Sequence, residues 1–88
     1  MDRQEIVAVI EKALGEVLER PVTGLTEETA LFDELQLQSF HVLGLLMTVE
    51  EVTGIAVDPE QLDVDDLRTM RSFTDYVEAA LRQAEGTS

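Results

Sequence analysis

No cysteine occurs among the 88 residues, which excludes a disulfide framework, a thiolate nucleophile and Cys-ligated zinc. Tryptophan is also absent, and one tyrosine and three phenylalanines supply all the aromatic rings. A single histidine, His41, leaves no His–His metal pair and one imidazole base at most. Basic side chains are scarce: six Lys and Arg stand against nineteen Asp and Glu, for a formal net charge of −13. Nucleic acid is excluded as a partner, because such affinity rests on cations that neutralise phosphates. An anionic membrane surface repels this chain for the same reason. No apolar run approaches the roughly 18 residues of a membrane helix. The polar start, Met1-Asp2-Arg3-Gln4-Glu5, has no signal-peptide layout. The expectation is a cytoplasmic, monomeric domain whose partners are basic proteins.

What is present argues against disorder, since 44% of the residues are hydrophobic, too many for a solvating acidic tail. The length suits one small domain, expected over residues 1–83 with a frayed tail at 84–88. Ile6, Ile10, Leu14, Val17 and Leu18 recur at helical steps and predict a first helix over about 3–19. Asp2 and Glu5 offer a capping box at its start, and Arg20-Pro21 closes it. A second helix is expected from Ser39 to Thr53, with Ser39 as its N-terminal residue and Gly54 as its stop. Val42, Leu45, Leu46, Val49 and Val52 make one apolar stripe on this helix. Phe40, Leu43 and Met47 make another, continued by Glu50 and Glu51. A helix apolar on two sides is either central in its domain or holds a surface for a partner.

Between these helices, about residues 21–38 lack clear periodicity, an unusually long connection for so small a domain. Leu25, Leu31, Phe32, Leu35 and Leu37 can pin it to a core, and Thr26-Glu27-Glu28-Thr29 offers a capping signal for a short turn of helix. After Gly54, Ile55-Ala56-Val57 followed by Asp58-Pro59 reads as an extended connector. Residues 60–71 are expected to hold a short helix or turn with Leu62, Val64, Leu67 and Met70 facing inward. The last helix is placed near Ser72, whose partner Asp75 completes an S-x-x-D pattern. Phe73, Tyr76, Val77, Ala80 and Leu81 define its buried side. The fold class is therefore all-α: a small right-handed bundle of three main helices plus one short helix, with the long loop between helices 1 and 2.

Catalytic constellations are missing. Ser39 and His41 are two positions apart at a helix start, so their side chains diverge and a Ser–His hydrolase is disfavoured. Asp58, Asp63, Asp65 and Asp66 lack the spacing and central glycine of an EF-hand. No glycine-rich phosphate loop precedes a helix. The chain reads as a non-catalytic protein, with no metal site.

A long loop, a serine at a helix entrance, an apolar line behind it and acids on the same helix remain to be explained. The stretch Leu35-Gln36-Leu37-Gln38-Ser39-Phe40, then Leu43, Met47, Glu50-Glu51, Gly54-Ile55 and Val57, resembles the acyl carrier protein family, including the peptidyl carrier domains of peptide synthetases. The likeness extends through Leu62 and Phe73 to nearly the whole chain. The resemblance implies that Ser39 takes a 4′-phosphopantetheine arm from coenzyme A, added by a phosphopantetheinyl transferase. Acyl or aminoacyl groups would then ride on the arm's thiol as thioesters, passed between a loading enzyme and downstream enzymes. It further implies that Gln38, Phe40, Leu43, Met47, Glu50 and Glu51 face those partners, the two acids meeting basic patches. Most fatty-acid carriers have Asp-Ser-Leu where this chain has Gln38-Ser39-Phe40. That departure, with Met1 opening the domain and the chain ending soon after its last helix, points to a discrete carrier of a polyketide or nonribosomal peptide type pathway. The alternative is an unmodified acidic helical adaptor that binds a basic partner through the second helix.

Overall fold

Three helices and one 3-10 turn follow from the patterning, in the order α1 (Arg3–Leu18), α2 (Ser39–Thr53), the 3-10 turn Val64–Leu67, and α3 (Met70–Gly86). The computed structural model describes residues 2–57 and 62–86, except the side chains at 64 and 84–86. Asp58 and Pro59 of the expected connector lie outside the described residues.

Helix α1 starts where the sequence places it. The Asp2 carboxylate accepts the Glu5 amide at 2.9 Å, satisfying one of the orphan donors of the first turn. Ile6, Ile10 and Leu14 are fully buried on the predicted face, while Val17 and Leu18 pack against the core edge. The helix ends at Leu18, with Glu19 in the left-handed region at φ 56°. Helix α2 matches its predicted span and stops at Gly54, φ 78°, a conformation glycine adopts without steric cost. Its core stripe is Leu45, Leu46 and Val49, with Val42 half-buried against it. Val52 departs from that stripe: it is 48% exposed. At Gly44 a Cβ would lie 3.4 Å from a Val17 methyl, so the end of α1 lies close against the first half of α2.

The long connection is tied to the far part of the molecule. Leu31 is fully buried and Leu37 nearly so, while Leu25, Phe32 and Leu35 pack half-buried against the core. The Thr26–Thr29 capping signal produces a turn rather than a helix, closed by the Thr29 amide on the Thr26 carbonyl at 3.1 Å. From there the backbone pairs with the start of α3. The Leu31 amide donates to the Arg68 carbonyl at 3.1 Å, and an isolated antiparallel bridge joins Ala30 to Thr69. Met70 and Arg71 donate their amides to the Thr29 and Glu27 carbonyls at 2.9 and 2.8 Å.

These bonds explain why α3 begins at Met70, two residues before the expected start. Its cap is Thr69, not Ser72. The Ser72 amide donates to Thr69 Oγ1 at 3.2 Å and the Thr69 amide donates to Ser72 Oγ at 3.1 Å, a reciprocal capping box. With the first two helical amides taken by the loop carbonyls, no orphan donor of that turn is left for an Asp75 partner. Phe73 and Val77 are fully buried as predicted, with Tyr76, Ala80 and Leu81 half-buried beside them. Leu67 and Met70 are buried and Leu62 half-buried; the Val64 side chain is not described. Ile55 and Val57 are buried beyond Gly54 without forming a strand. Backbone helix extends to Gly86, into the segment expected to fray.

Arg3 fastens the loop from outside. Its guanidinium contacts the Glu27 carboxylate at 2.6 Å and Asp75 of α3 at 2.8 Å. The Arg3 hydrogen bond holds the Glu27 carboxyl below the ordinary glutamate range. A carboxylate whose folded value is depressed stabilises the fold at higher pH and loses that contribution as pH falls through the folded value. Removing the Arg3 guanidinium removes the largest cause of this dependence and leaves the smaller contribution of Arg71, 3.5 Å from the same carboxylate. Urea midpoints followed downward from about pH 5, across the carboxylate range, should therefore fall less steeply for Arg3→Gln than for wild type. Equal slopes would show that the pair does not anchor the loop.

Candidate functional site

The loop returns from its tie to α3 and delivers the chain to the start of α2. The turn is fixed by the Leu37 amide on the Leu31 carbonyl at 3.4 Å and by Arg20, whose guanidinium donates to the Leu35 carbonyl at 2.7 Å. Gln36 lies in the left-handed region at φ 55°, an unusual conformation for a residue with a Cβ. Leu37 is buried, and immediately beyond it the chain emerges at Gln38, Ser39 and Phe40, all exposed.

Ser39 begins α2 as expected, but the N-cap is another residue. Gln38 holds that position, with extended backbone at φ −100°, ψ 162°, and Ser39 is the first helical residue. The reason lies three residues on: the Gln38 amide donates to His41 Nδ1 at 2.9 Å, and the His41 amide donates to the Gln38 carbonyl at 2.9 Å. Imidazole thus supplies a cap contact usually given by Glu or Gln. The Ser39 hydroxyl makes no hydrogen bond among the described residues and stands exposed at the positive end of the α2 dipole. Nearby backbone donors and that dipole favour an anion attached there. A phosphodiester on Ser39 Oγ therefore fits the residues present.

Beyond the serine, Phe40, Leu43 and Met47 are 71, 57 and 62% exposed. These three side chains therefore lie on the surface and not in the core. Positions i, i+3 and i+7 of one helix share a face, so they form a continuous apolar line starting beside Ser39. Glu50 and Glu51 follow Met47 at i+3 and i+4 and extend that line with negative charge; Glu51 is exposed and Glu50 half-buried. No ion pair engages either acid among the described residues. Ser39, Gln38, Phe40, Leu43, Met47 and the two acids are thus brought together on one helix.

His41 does not face Ser39 as a base would; its Nδ1 is engaged with backbone and its ring stacks at 44° on Phe40, centroids 4.1 Å apart. Among the described residues no group of three His, Cys, Asp or Glu side chains converges on a metal position. A shallow cavity of about 270 Å³ is lined by Arg3, Gln4, Val7 and Glu27. It lies at the start of α1, whereas α2 approaches Ser39 beside the end of α1. Two features of the site escaped the sequence reading: the His41 cap and the left-handed Gln36. The i, i+3 spacing of Gln38 and His41 carried a signal for the first; nothing local marks the second.

Residues 8–77 match the family model for the phosphopantetheine attachment site, a span that includes Ser39. The chain is similar to an acyl carrier protein of Saccharopolyspora erythraea, 36% identical over 63 residues covering 72% of this chain and 66% of that protein. It is also similar to an acyl carrier protein of Exiguobacterium sp., 27% identical over 81 residues, 92% of this chain and 100% of the relative. A third, from Coprothermobacter proteolyticus, is 27% identical over 81 residues, covering 92% of this chain and 96% of the relative.

The left-handed backbone before the serine has a measurable cost. Glycine carries no Cβ penalty at such a φ. Gln36→Gly should stabilise the fold by about 1 kcal/mol, read as a higher urea midpoint with unchanged m-value. A lower midpoint would show that the Gln36 side chain contributes more than its backbone strain removes.

Proposed function

The chain belongs to the phosphopantetheine-attachment family of acyl carrier proteins, and on that premise we propose that Ser39 is its attachment residue. The observation that carries this reading is the uncommitted Ser39 hydroxyl, exposed as the first residue of α2 beyond a pinned loop. A transferase can approach it without breaking a cap, because Gln38 and His41 make the cap between themselves. When attached, the 4′-phosphopantetheine arm supplies a terminal thiol on which acyl groups ride as thioesters, so the chain needs no cysteine. The protein contributes no catalysis. It holds the attachment point at a helix start whose dipole and amides favour the phosphodiester, and it presents a surface to the enzymes that load and unload the arm.

That surface is the line Phe40, Leu43 and Met47, bordered by Gln38 and by Glu50 and Glu51. Exposed apolar side chains give the contact area, and the acids steer partners that carry Arg and Lys patches. The partners in this reading are a phosphopantetheinyl transferase, an acyl- or aminoacyl-loading enzyme, and downstream enzymes. The neutral Gln38 before the serine and the large Phe40 after it support a specialised, polyketide or nonribosomal peptide type pathway, because they alter both charge and apolar area beside the attachment point. The setting is cytoplasmic in this reading. Among the described residues no helix is long and apolar enough to cross a membrane.

Incubation with coenzyme A and a broad-specificity transferase should add one 4′-phosphopantetheine mass to the intact protein, and Ser39→Ala should abolish the gain. No gain in wild type, or a gain that survives the substitution, would sink the assignment. Charge reversal of Glu50 and Glu51 to Lys should slow association with the transferase roughly tenfold at low salt, with the difference shrinking as salt screens it. Association rates that are unchanged at low salt would remove these acids from the docking face.

A further inference from the structure

Nothing in the family reading assigns a role to His41, yet this residue holds the junction at which Ser39 stands. Its Nδ1 accepts the Gln38 amide at 2.9 Å, so the bonded imidazole is neutral with its proton on Nε2. The same ring lies against Phe40, tilted by 44° with centroids 4.1 Å apart. One side chain therefore touches both neighbours of Ser39. We infer that His41 is the positioning residue of the Ser39 site, fixing the start of α2 while its imidazole is neutral and releasing it when Nδ1 is protonated. The inference rests on the carrier reading for what the junction serves; the cap itself does not.

The physical case is one of donors and dipoles. A protonated Nδ1 is a donor set against the Gln38 amide, which is also a donor, so the contact changes from attractive to repulsive. The imidazolium would also lie in the first turn of α2, where the positive end of the helix dipole disfavours a cation. The charged groups on the elements meeting this junction are Glu16, Glu19 and Arg20 at the end of α1, and Asp33 and Glu34 in the loop. Arg20 donates to the Leu35 carbonyl and Glu34 accepts the Ala30 amide. Glu50 and Glu51 lie toward the opposite end of α2. Among the described residues none of these carboxylates is within ion-pair distance of His41. The Gln38 amide, freed from its acceptor, turns to water, and the first turn holding Ser39 and Phe40 loosens.

Asparagine separates the cap from its proton, because its Oδ1 can accept the same amide at every pH. The unmodified, isotope-labelled full chain would be followed by NMR across about pH 5 to 8, where imidazoles titrate. In wild type the Gln38 amide resonance should follow the His41 ring carbons along one curve with a shared midpoint. In His41→Asn it should stay in place over that range. A Gln38 amide that is indifferent to ring titration, or that moves alike in both proteins, would overturn the inference. In a second arm, the Ser39 modification rate of wild type relative to His41→Asn is measured at each pH, so that the transferase's own pH dependence cancels. The ratio should fall by about threefold to tenfold below the ring midpoint, the loss of one hydrogen bond; a flat ratio would remove the positioning role. If Ser39 takes up no mass at all, the carrier reading alone fails, and the Gln38 titration still decides this one.

Discussion

The fold depends on a loop that must satisfy its own backbone. Between Leu18 and Ser39 the chain forms no helix, and every amide and carbonyl that leaves water there needs a partner. Much of that need is met by exchange with the start of α3, through the Leu31, Met70 and Arg71 amides and the carbonyls of Arg68, Thr29 and Glu27. The same bonds satisfy the first donors of α3, so one set of contacts closes two deficits. Leu31 then sits fully buried between them. From that fixed point the chain can return to the end of α1 and emerge at Ser39 in a defined direction. Loosening of this exchange would uncap α3 and release the path to the serine together.

How much of this was legible depends on whether the determining contact is local. The spans of α1 and α2 followed from helical spacing, and Gly54 marked the end of α2, because periodicity and caps are properties of neighbouring residues. Leu31 and Leu37 stood out as apolar residues in a region without a period, and both are buried. The start of α3 was misplaced because its first amides bond to Thr29 and Glu27, some forty residues away, a partnership invisible to a Ser72–Asp75 pattern. Val52 has the spacing of a core residue but is 48% exposed, which helical spacing alone does not decide. Ser39 was expected to open α2 and does, but serine is a favoured cap and nothing in that preference shows that the Gln38–His41 pair makes the cap. The exposure of Phe40, Leu43 and Met47 could be decided only by knowing where the loop lies.

The charge imbalance acquires a distribution from the structure. Arg3, Arg68, Arg71 and Arg82 are all paired with carboxylates outside α2, and Arg20 is held by a loop carbonyl. Five of the six cations are thereby fixed around the loop, the 3-10 turn and α3, and α2 contains no Lys or Arg. Among the described residues no ion pair engages its acids at Glu50 and Glu51. Apolar area and negative potential thus coincide on the helix that begins at Ser39, a combination that suits contacts of short lifetime: charge accelerates encounter, while a narrow apolar line limits residence.

Ser39, finally, is a surface group on which no other part of the structure relies. Among the described residues its hydroxyl belongs to no cap or hydrogen-bond network, so in the proposed reading a group attached there would change the molecule's chemistry without taking a contact from its fold. In the proposed reading, the groups carried at Ser39 can differ in size while the helices are held by contacts that lie elsewhere, so enzymes acting at different stages would meet the same body.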